Sequence, residues 1–254
     1  MQVLLVFAAL VAPSLARLPY IVNGKDAEPG QFPWQASLQM YGYYHICGAS
    51  VVSDTWLVTA SHCVGSSPSS YSIVLGAHDK DSYQQGSPQR YQIAEIIMHP
   101  DYRSGGSASQ AGDIALIRLA SPADLSNKYI STIALADEDE DFADMDCHIS
   151  GWGSLYGIGS QSPNILQELD VTVFSTSQCS RYTSSAGKYH LCVFKQGSSA
   201  CSGDSGGPLA CEKDGQFKLV GAASFVWGSC STYYPTVYTS VPYYREWIRQ
   251  HSGL

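Results

Sequence analysis

The chain has 254 residues, of which 44% are apolar and only 14% charged, with a formal net charge of −8. The length suits one large β domain or two small ones, with ample apolar material for a core. The acidic balance excludes nucleic-acid binding through a basic surface, and 5 Trp, 17 Tyr and 7 Phe exclude intrinsic disorder.

From the start of the chain, residues 3–11 form an apolar run followed by Pro13 and Ser14-Leu15-Ala16. The run is too short to span a bilayer and ends in a small-x-Ala pattern, so residues 1–16 read as a secretory signal peptide. The alternative is a buried first strand or helix, and the segment has no Lys or Arg before its apolar run. Removal of the leader would leave a secreted, extracellular protein with no membrane attachment, folded in an oxidising compartment. Residues 17–20, Arg17-Leu18-Pro19-Tyr20, read as a short propeptide before Ile21-Val22-Asn23-Gly24.

Beyond this point, short strand-like runs alternate with clusters of Gly, Pro, Ser and Asn. Examples are residues 34–39, 50–52, 56–58, 71–75, 91–97, 114–117, 170–174, 218–222 and 236–239. That pattern predicts an all-β sandwich or barrel. Near the end, Pro242 can open a helix in which Tyr243, Trp247 and Ile248 recur at helical spacing, over about residues 242–251. A change of composition over residues 122–147 suggests a connector between two halves. Seven of the 22 acidic residues fall at positions 137–146 within it. They read as a solvated loop or, alternatively, as a cation site or acidic contact surface, though not as an EF-hand.

Three segments carry chemistry. Gly203-Asp204-Ser205-Gly206-Gly207-Pro208 sets a serine in a glycine-built loop, where backbone N–H groups can converge beside its hydroxyl. Serine needs a base within hydrogen-bond reach and a third group to orient that base. His62, in Ala60-Ser61-His62-Cys63, directly precedes a cysteine that could pin its backbone by a disulfide. Asp113 opens the apolar run Ile114-Ala115-Leu116-Ile117, as either a turn residue or a buried orienter. Each feature alone has a plain structural reading. The eight cysteines by themselves admit disulfides, metal ligands or reactive thiols.

Taken in order, Ile-Val-x-Gly at Ile21, Ala-x-His-Cys at Ala60, Asp-Ile-Ala-Leu at Asp113, Ser150-Gly151-Trp152-Gly153 and Gly-Asp-Ser-Gly-Gly-Pro at Gly203 resemble the chymotrypsin-like serine endopeptidases. The resemblance runs from Ile21 to Ile248. It implies two packed six-stranded antiparallel β-barrels and a short C-terminal helix within a protease domain of residues 21–254. The N-terminal barrel would cover about residues 21–125 and the C-terminal barrel about 140–240. It also implies that His62 is the general base, Asp113 its orienter and Ser205 the nucleophile, with an oxyanion hole formed by the N–H groups of Gly203 and Ser205. Ser224 would hydrogen-bond Asp113, and Ser224-Phe225-Val226 would pair with extended substrate. The implied bridges are Cys47–Cys63, Cys147–Cys211, Cys179–Cys192 and Cys201–Cys230, with no metal and no cofactor. Loss of His, Asp or Ser would mark an inactive, protease-like binding module, and all three stand here.

The resemblance further implies a zymogen, in which cleavage before Ile21 frees an α-amino group that pairs with Asp204. Activity would then need a neutral His62 and a protonated Ile21 amine. Tyr20 departs from the Arg or Lys usual at that junction, so either an aromatic-preferring protease cuts there or cleavage at Arg17 is followed by trimming. Ser199 stands where trypsins carry Asp, which argues against Lys or Arg before the scissile bond. Val226 and Thr236 match two wall positions that are glycine in chymotrypsin. They favour elastase-like cleavage after Ala, Val or Leu, with a chymotrypsin-like preference for Tyr, Phe or Leu as the alternative. Phe194 is a departure near the pocket wall. Partners would be protein or peptide substrates and protein protease inhibitors, acting on a monomer. Neither a bound calcium near Asp79 and Asp81 nor an N-glycosylation sequon is expected.

Overall fold

A computed structural model describes residues 20–80, 86–103, 111–154, 161–182 and 186–254. The leader and most of the propeptide, with Asp81, lie outside these residues. The first strand, β1 (Lys25–Asp26), is followed by β2 (Gln35–Met40), β3 (Tyr44–Val51), β4 (Trp56–Thr59), β5 (Tyr71–Ala77), β6 (Gly86–Met98) and β7 (Ala115–Leu119). Strands β2-β3-β4-β7-β6-β5 close on themselves as a six-stranded antiparallel barrel. The register shifts at Leu38/Gln39, Leu75/Ala77 and Ile93/Glu95. Such bulges bend and twist strands enough for a small barrel to close.

The second half contains β8 (Ala134–Leu135), β9 (Asp146–Gly151), β10 (Gln167–Phe174), β11 (His190–Phe194), β12 (Pro208–Lys213), β13 (Gln216–Phe225) and β14 (Thr236–Ser240). Strands β9-β10-β11-β14-β13-β12 return to β9, giving a second six-stranded antiparallel barrel. Inward positions alternate along β10, where Leu169, Val171 and Val173 are buried while Asp170, Thr172 and Phe174 are partly exposed.

One boundary differs from the sequence expectation. The first barrel begins at Gln35, and β1 pairs instead with Glu168 and Gln167 of β10. Residues 21–26 thus lie on the second barrel, because Ile21 is fully buried in its core with Ile149, Leu209 and Val220.

A separate apolar cluster joins the barrels and brings together Val58, Ile114 and Leu116 of the first with Trp152 and Leu219 of the second. The C-terminal helix, Val241–Ser252, adds Val241, Tyr244, Trp247 and Ile248 to it. Ser240 caps this helix by accepting from the Tyr243 N–H, and Gly253 ends it at φ 78°, which glycine adopts without strain. Four disulfides, Cys47–Cys63, Cys147–Cys211, Cys179–Cys192 and Cys201–Cys230, leave no free cysteine. No helix among the described residues is long and apolar enough to cross a membrane.

The acidic segment is more than a solvated loop. Glu140 lies 2.7 Å from Lys218 and 3.5 Å from Lys213, and Asp137 lies 3.7 Å from Arg245 of the C-terminal helix. Phe142 between these acids is buried in the second barrel's core, which holds the segment down.

Candidate active site

His62 sits on a 3-10 turn, Ser61–Cys63, directly after β4. Two covalent and polar ties fix that turn: the Cys47–Cys63 bridge to β3, and a 2.6 Å hydrogen bond from Ser61 Oγ to the Ile114 carbonyl. A bridge closing a loop of this length is worth about 3 kcal/mol in the chain-entropy account. Asp113 meets His62 twice, with Oδ1 accepting from the His62 backbone N–H at 2.9 Å and Oδ2 lying 2.8 Å from Nδ1. Ser224 of β13 donates to the same Oδ2 at 2.5 Å, and Thr239 of β14 donates to the Asp113 carbonyl at 2.8 Å. The second barrel therefore helps to hold an aspartate of the first.

Burial of Asp113 opposes its ionisation, but the hydrogen bonds and charge of His62, with the Ser224 hydroxyl, outweigh that and hold the carboxyl below its ordinary range. It stays an anion well into the acid region, the state needed to orient an imidazole.

Ser205 projects from the turn between Asp204 and Gly206. Its carbonyl accepts from the Gly48 N–H at 2.8 Å, which pins the turn to β3, and the Gly206 N–H donates to Ala223 at 2.7 Å. Gly206 has φ 72°, and a Cβ there would stand 2.2 Å from Thr59 Oγ1 and 3.0 Å from the Ala60 nitrogen. Only glycine fits, and the contact brings the serine turn against the strand end that leads into His62. Gly203, at φ 101°, presents its carbonyl 3.0 Å from His45 Nε2. The other nitrogen of His45 is 2.8 Å from Ser37 Oγ, so a side chain of the first barrel braces the loop of the second. Sequence reasoning did not single out His45 or Thr239. Neither has a local signal, since their partners lie 158 and 126 residues away along the chain.

Asp204 is buried beneath this turn, accepting from Gly153 N–H at 2.8 Å and Cys201 N–H at 2.9 Å. Burial pushes its carboxyl up to about 6, with those two hydrogen bonds acting against the rise. At the Tyr20–Ile21 junction, Ile21 has φ 44°, a strained value for a β-branched residue. Val22 forms a bridge to Ser199, and Asn23 Nδ2 donates to the Gly197 carbonyl, so the junction lies along the loops that flank the serine turn.

A cavity of about 140 Å³ opens beside Ser205, and its walls include Ser224, Phe225, Val226 and Thr236. Ser199 is buried behind that wall. Its hydroxyl donates to the Ala200 carbonyl at 2.8 Å and lies 3.3 Å from Thr236 Oγ1, so it presents no charge to the cavity. Phe194 is not part of the wall. It packs with Phe174 and Tyr182 at centroid distances of 5.4 and 5.9 Å on the outside of the second barrel. As for metals at this site, Cys47 and Cys63 lie close to His62, but their sulfurs are joined to each other and are not available as thiolates.

Two barrels that meet at a histidine held by a buried aspartate, with a glycine-built serine turn alongside, define a serine peptidase architecture. The family profile of trypsin matches residues 21–248. The chain is 36% identical over 249 residues to fibrinolytic enzyme, isozyme C, of Lumbricus rubellus, a match covering 91% of this chain and 100% of that protein. It is 35% identical over 257 residues to a chymotrypsin-like serine proteinase of Haliotis rufescens, covering 96% and 97% respectively. The chain belongs to the trypsin family of chymotrypsin-like serine proteases.

Proposed function

We propose that the chain is a secreted endopeptidase, made as a precursor, that cleaves after uncharged hydrophobic residues through an acyl-enzyme. The observation that carries this reading is the doubly hydrogen-bonded His62–Asp113 pair, at 2.9 and 2.8 Å, in the same cleft as the Ser205 turn. In acylation, Ser205 Oγ attacks the substrate carbonyl carbon and its proton passes to His62 Nε2. The carbonyl oxygen becomes an oxyanion held by the N–H groups of Gly203 and Ser205. The C–N bond then breaks as His62 gives the proton to the departing amine. Water enters with His62 again as base, and the Ser205 ester is hydrolysed to acid and free serine. Asp113 holds Nδ1 and remains ionised throughout.

Residues 1–16 act as the signal peptide and residues 17–20 as the propeptide in this reading. Cutting after Tyr20 replaces an amide by an ammonium at Ile21. An ammonium beside Asp204 favours the carboxylate and so reverses the rise that burial imposes. The resulting ion pair would fix the turn carrying Gly203 and Ser205. The mature enzyme acts as a monomer on protein and peptide substrates and is open to protein inhibitors that mimic them.

Ser199, neutral and buried behind the cavity wall, supports hydrophobic specificity, because it offers no anion to a desolvated lysine or arginine side chain. Val226 and Thr236 line the cavity and favour Ala, Val or Leu. A second reading, cleavage after Tyr, Phe or Leu, draws support from the cavity's 140 Å³, comparable to the roughly 150 Å³ that holds benzene, and from Tyr20 itself. Hydrolysis of peptides differing only in the residue before the scissile bond, with Ala, Leu, Phe, Tyr and Arg compared, tests both. Preference for Arg would overturn the hydrophobic assignment. Failure of a serine-directed phosphonylating reagent to label Ser205 in the processed protein would overturn the enzyme reading in favour of a binding module.

A further inference from the structure

We propose that His148, Glu168 and Asp170, on the outer face of the second barrel, form a binding site for a divalent transition-metal cation of the Zn²⁺ class. The site is independent of the proteolytic cleft, and it departs from the sequence-level expectation of no metal.

The placement follows from strand register. His148 of β9 stands directly opposite Asp170 of β10, and Glu168 is two residues along the same strand, hence on the same face. One donor atom from each of the three side chains lies within 4.8 Å of the others. His148 Nδ1 is 2.9 Å from Asp170 Oδ1 and 3.9 Å from Glu168 Oε2. Tetrahedral ligands at about 2.0–2.1 Å from Zn²⁺ stand roughly 3.3 Å apart, so small side-chain rotations bring all three to one ion.

The arrangement lacks a better explanation as an ion pair alone. His148 Nδ1 is buried and makes no hydrogen bond, so the nearby Asp170 oxygen is close without being aligned to it. Glu168 is only 5% exposed and is met on its other oxygen by Lys25 at 3.3 Å, while Lys25 itself is 67% exposed. A buried ring nitrogen facing two carboxylate oxygens, rather than a donor, suits a shared cation at their common centre.

The ring is also preset. Phe217 packs edge-on at 5.8 Å and Phe32, tilted, at 6.1 Å, with Nδ1 on the side of the acids. Access is open, because His148 and Asp170 line a surface groove of about 600 Å³ from which water can complete the coordination. One imidazole and two carboxylates favour zinc or a similar ion over calcium, which takes six to eight oxygens.

The test uses the full, untagged chain carrying Ser205→Ala to prevent self-cleavage. Calorimetric titration with ZnCl₂ should give one ion per chain, and zinc should raise the melting temperature. Glu168→Gln and Asp170→Asn, which leave the packed ring in place, should each weaken binding at least ten-fold, as should His148→Ala. His62→Ala should leave it unchanged, and Lys25→Ala should tighten it. X-ray absorption should show nitrogen and oxygen neighbours at about 2.0–2.1 Å. Absence of binding at millimolar zinc, binding lost with His62→Ala but kept in the three site variants, or equal affinity for Ca²⁺ would each overturn the proposal.

Discussion

The two barrels share a closed six-stranded plan, yet they differ in how their contributions to the cleft are held in the uncut chain. The first barrel's pair is finished: Asp113 accepts from His62 and Ser224, and its carboxyl is held below the ordinary range. The second barrel's serine turn rests over Asp204, a carboxyl that burial pushes up to about 6. A carboxylate that ionises easily and one that resists ionisation thus lie on opposite sides of one cleft. In the activation proposed above, a single new cation would change the electrostatics under the second barrel's turn. The first barrel needs nothing further.

The most severe way to break the finished half is Asp113→Asn in the processed enzyme. The amide cannot hold His62 Nδ1–H as a carboxylate does, so kcat should fall about 10⁴-fold with little change in KM. Steady-state kinetics on the preferred peptide check this, and a loss below ten-fold would mean that Asp113 does not orient the base.

The unfinished half gives a pH signature in the uncut Ser205→Ala chain. Asp204 has a folded value raised from 3.8 to about 6, so it contributes stability below pH 4 that is lost as the pH rises through 6. His190, buried on β11 beside Phe225, is lowered from 6.5 to about 4 by its burial. The unfolded chain then binds the extra proton, so this histidine's contribution is lost as the pH falls from 6.5 toward 4. Each effect is worth up to about 3 kcal/mol, and the two oppose each other over nearly the same range. His78 and His99, also lowered by burial, act in the same sense as His190, so urea unfolding should show Asp204 blunting an otherwise rising profile between pH 4 and 6.5. Relative to the parent, Asp204→Asn should make stability rise more steeply with pH, and His190→Phe should make it rise less. Parallel pH profiles in all three chains would contradict the assigned burial effects.

A smaller change sharpens the comparison inside the second barrel. Val226 lines the cavity beside Ser205, and its replacement by glycine opens the wall without touching Asp113 or His62. Val226→Gly should raise kcat/KM for Phe or Tyr relative to Ala about ten-fold or more, within the range that hydrophobic pocket contacts supply. An unchanged ratio would remove Val226 from the specificity wall.

How much of this was legible in the sequence depended on how local each cause was. The Gly206 position could be read because a tight turn demands glycine whatever lies around it, and His62 because the adjacent Cys63 marks a pinned backbone. The barrels were legible as short strands between turn residues. The migration of residues 21–26 to the second barrel was not, because β1 has only two residues and its register with Gln167 and Glu168 is set by where Ile21 is buried. Bracing of Gly203 by His45 was equally hidden, since nothing near either residue announces the other.

The acidic segment is the clearest case of a local pattern that misleads, and it yields the smallest effect. Seven acids at positions 137–146 read locally as a solvated run. Glu140, however, meets Lys218 at 2.7 Å across 78 residues of chain, with a side chain only 14% exposed, while the other acids remain nearer solvent. Glu140 is therefore the acid held most closely to β13, with Asp137 paired more loosely at 3.7 Å, and the buried Phe142 sets the segment's depth. Glu140→Gln should cost about 1 kcal/mol, more than a surface pair but less than a deeply buried one, and the loss should shrink in high salt. Glu138→Gln, by contrast, should leave the denaturation midpoint unchanged. Equal effects from the two substitutions would return the whole segment to the status of a solvated loop and assign its position to Phe142 alone.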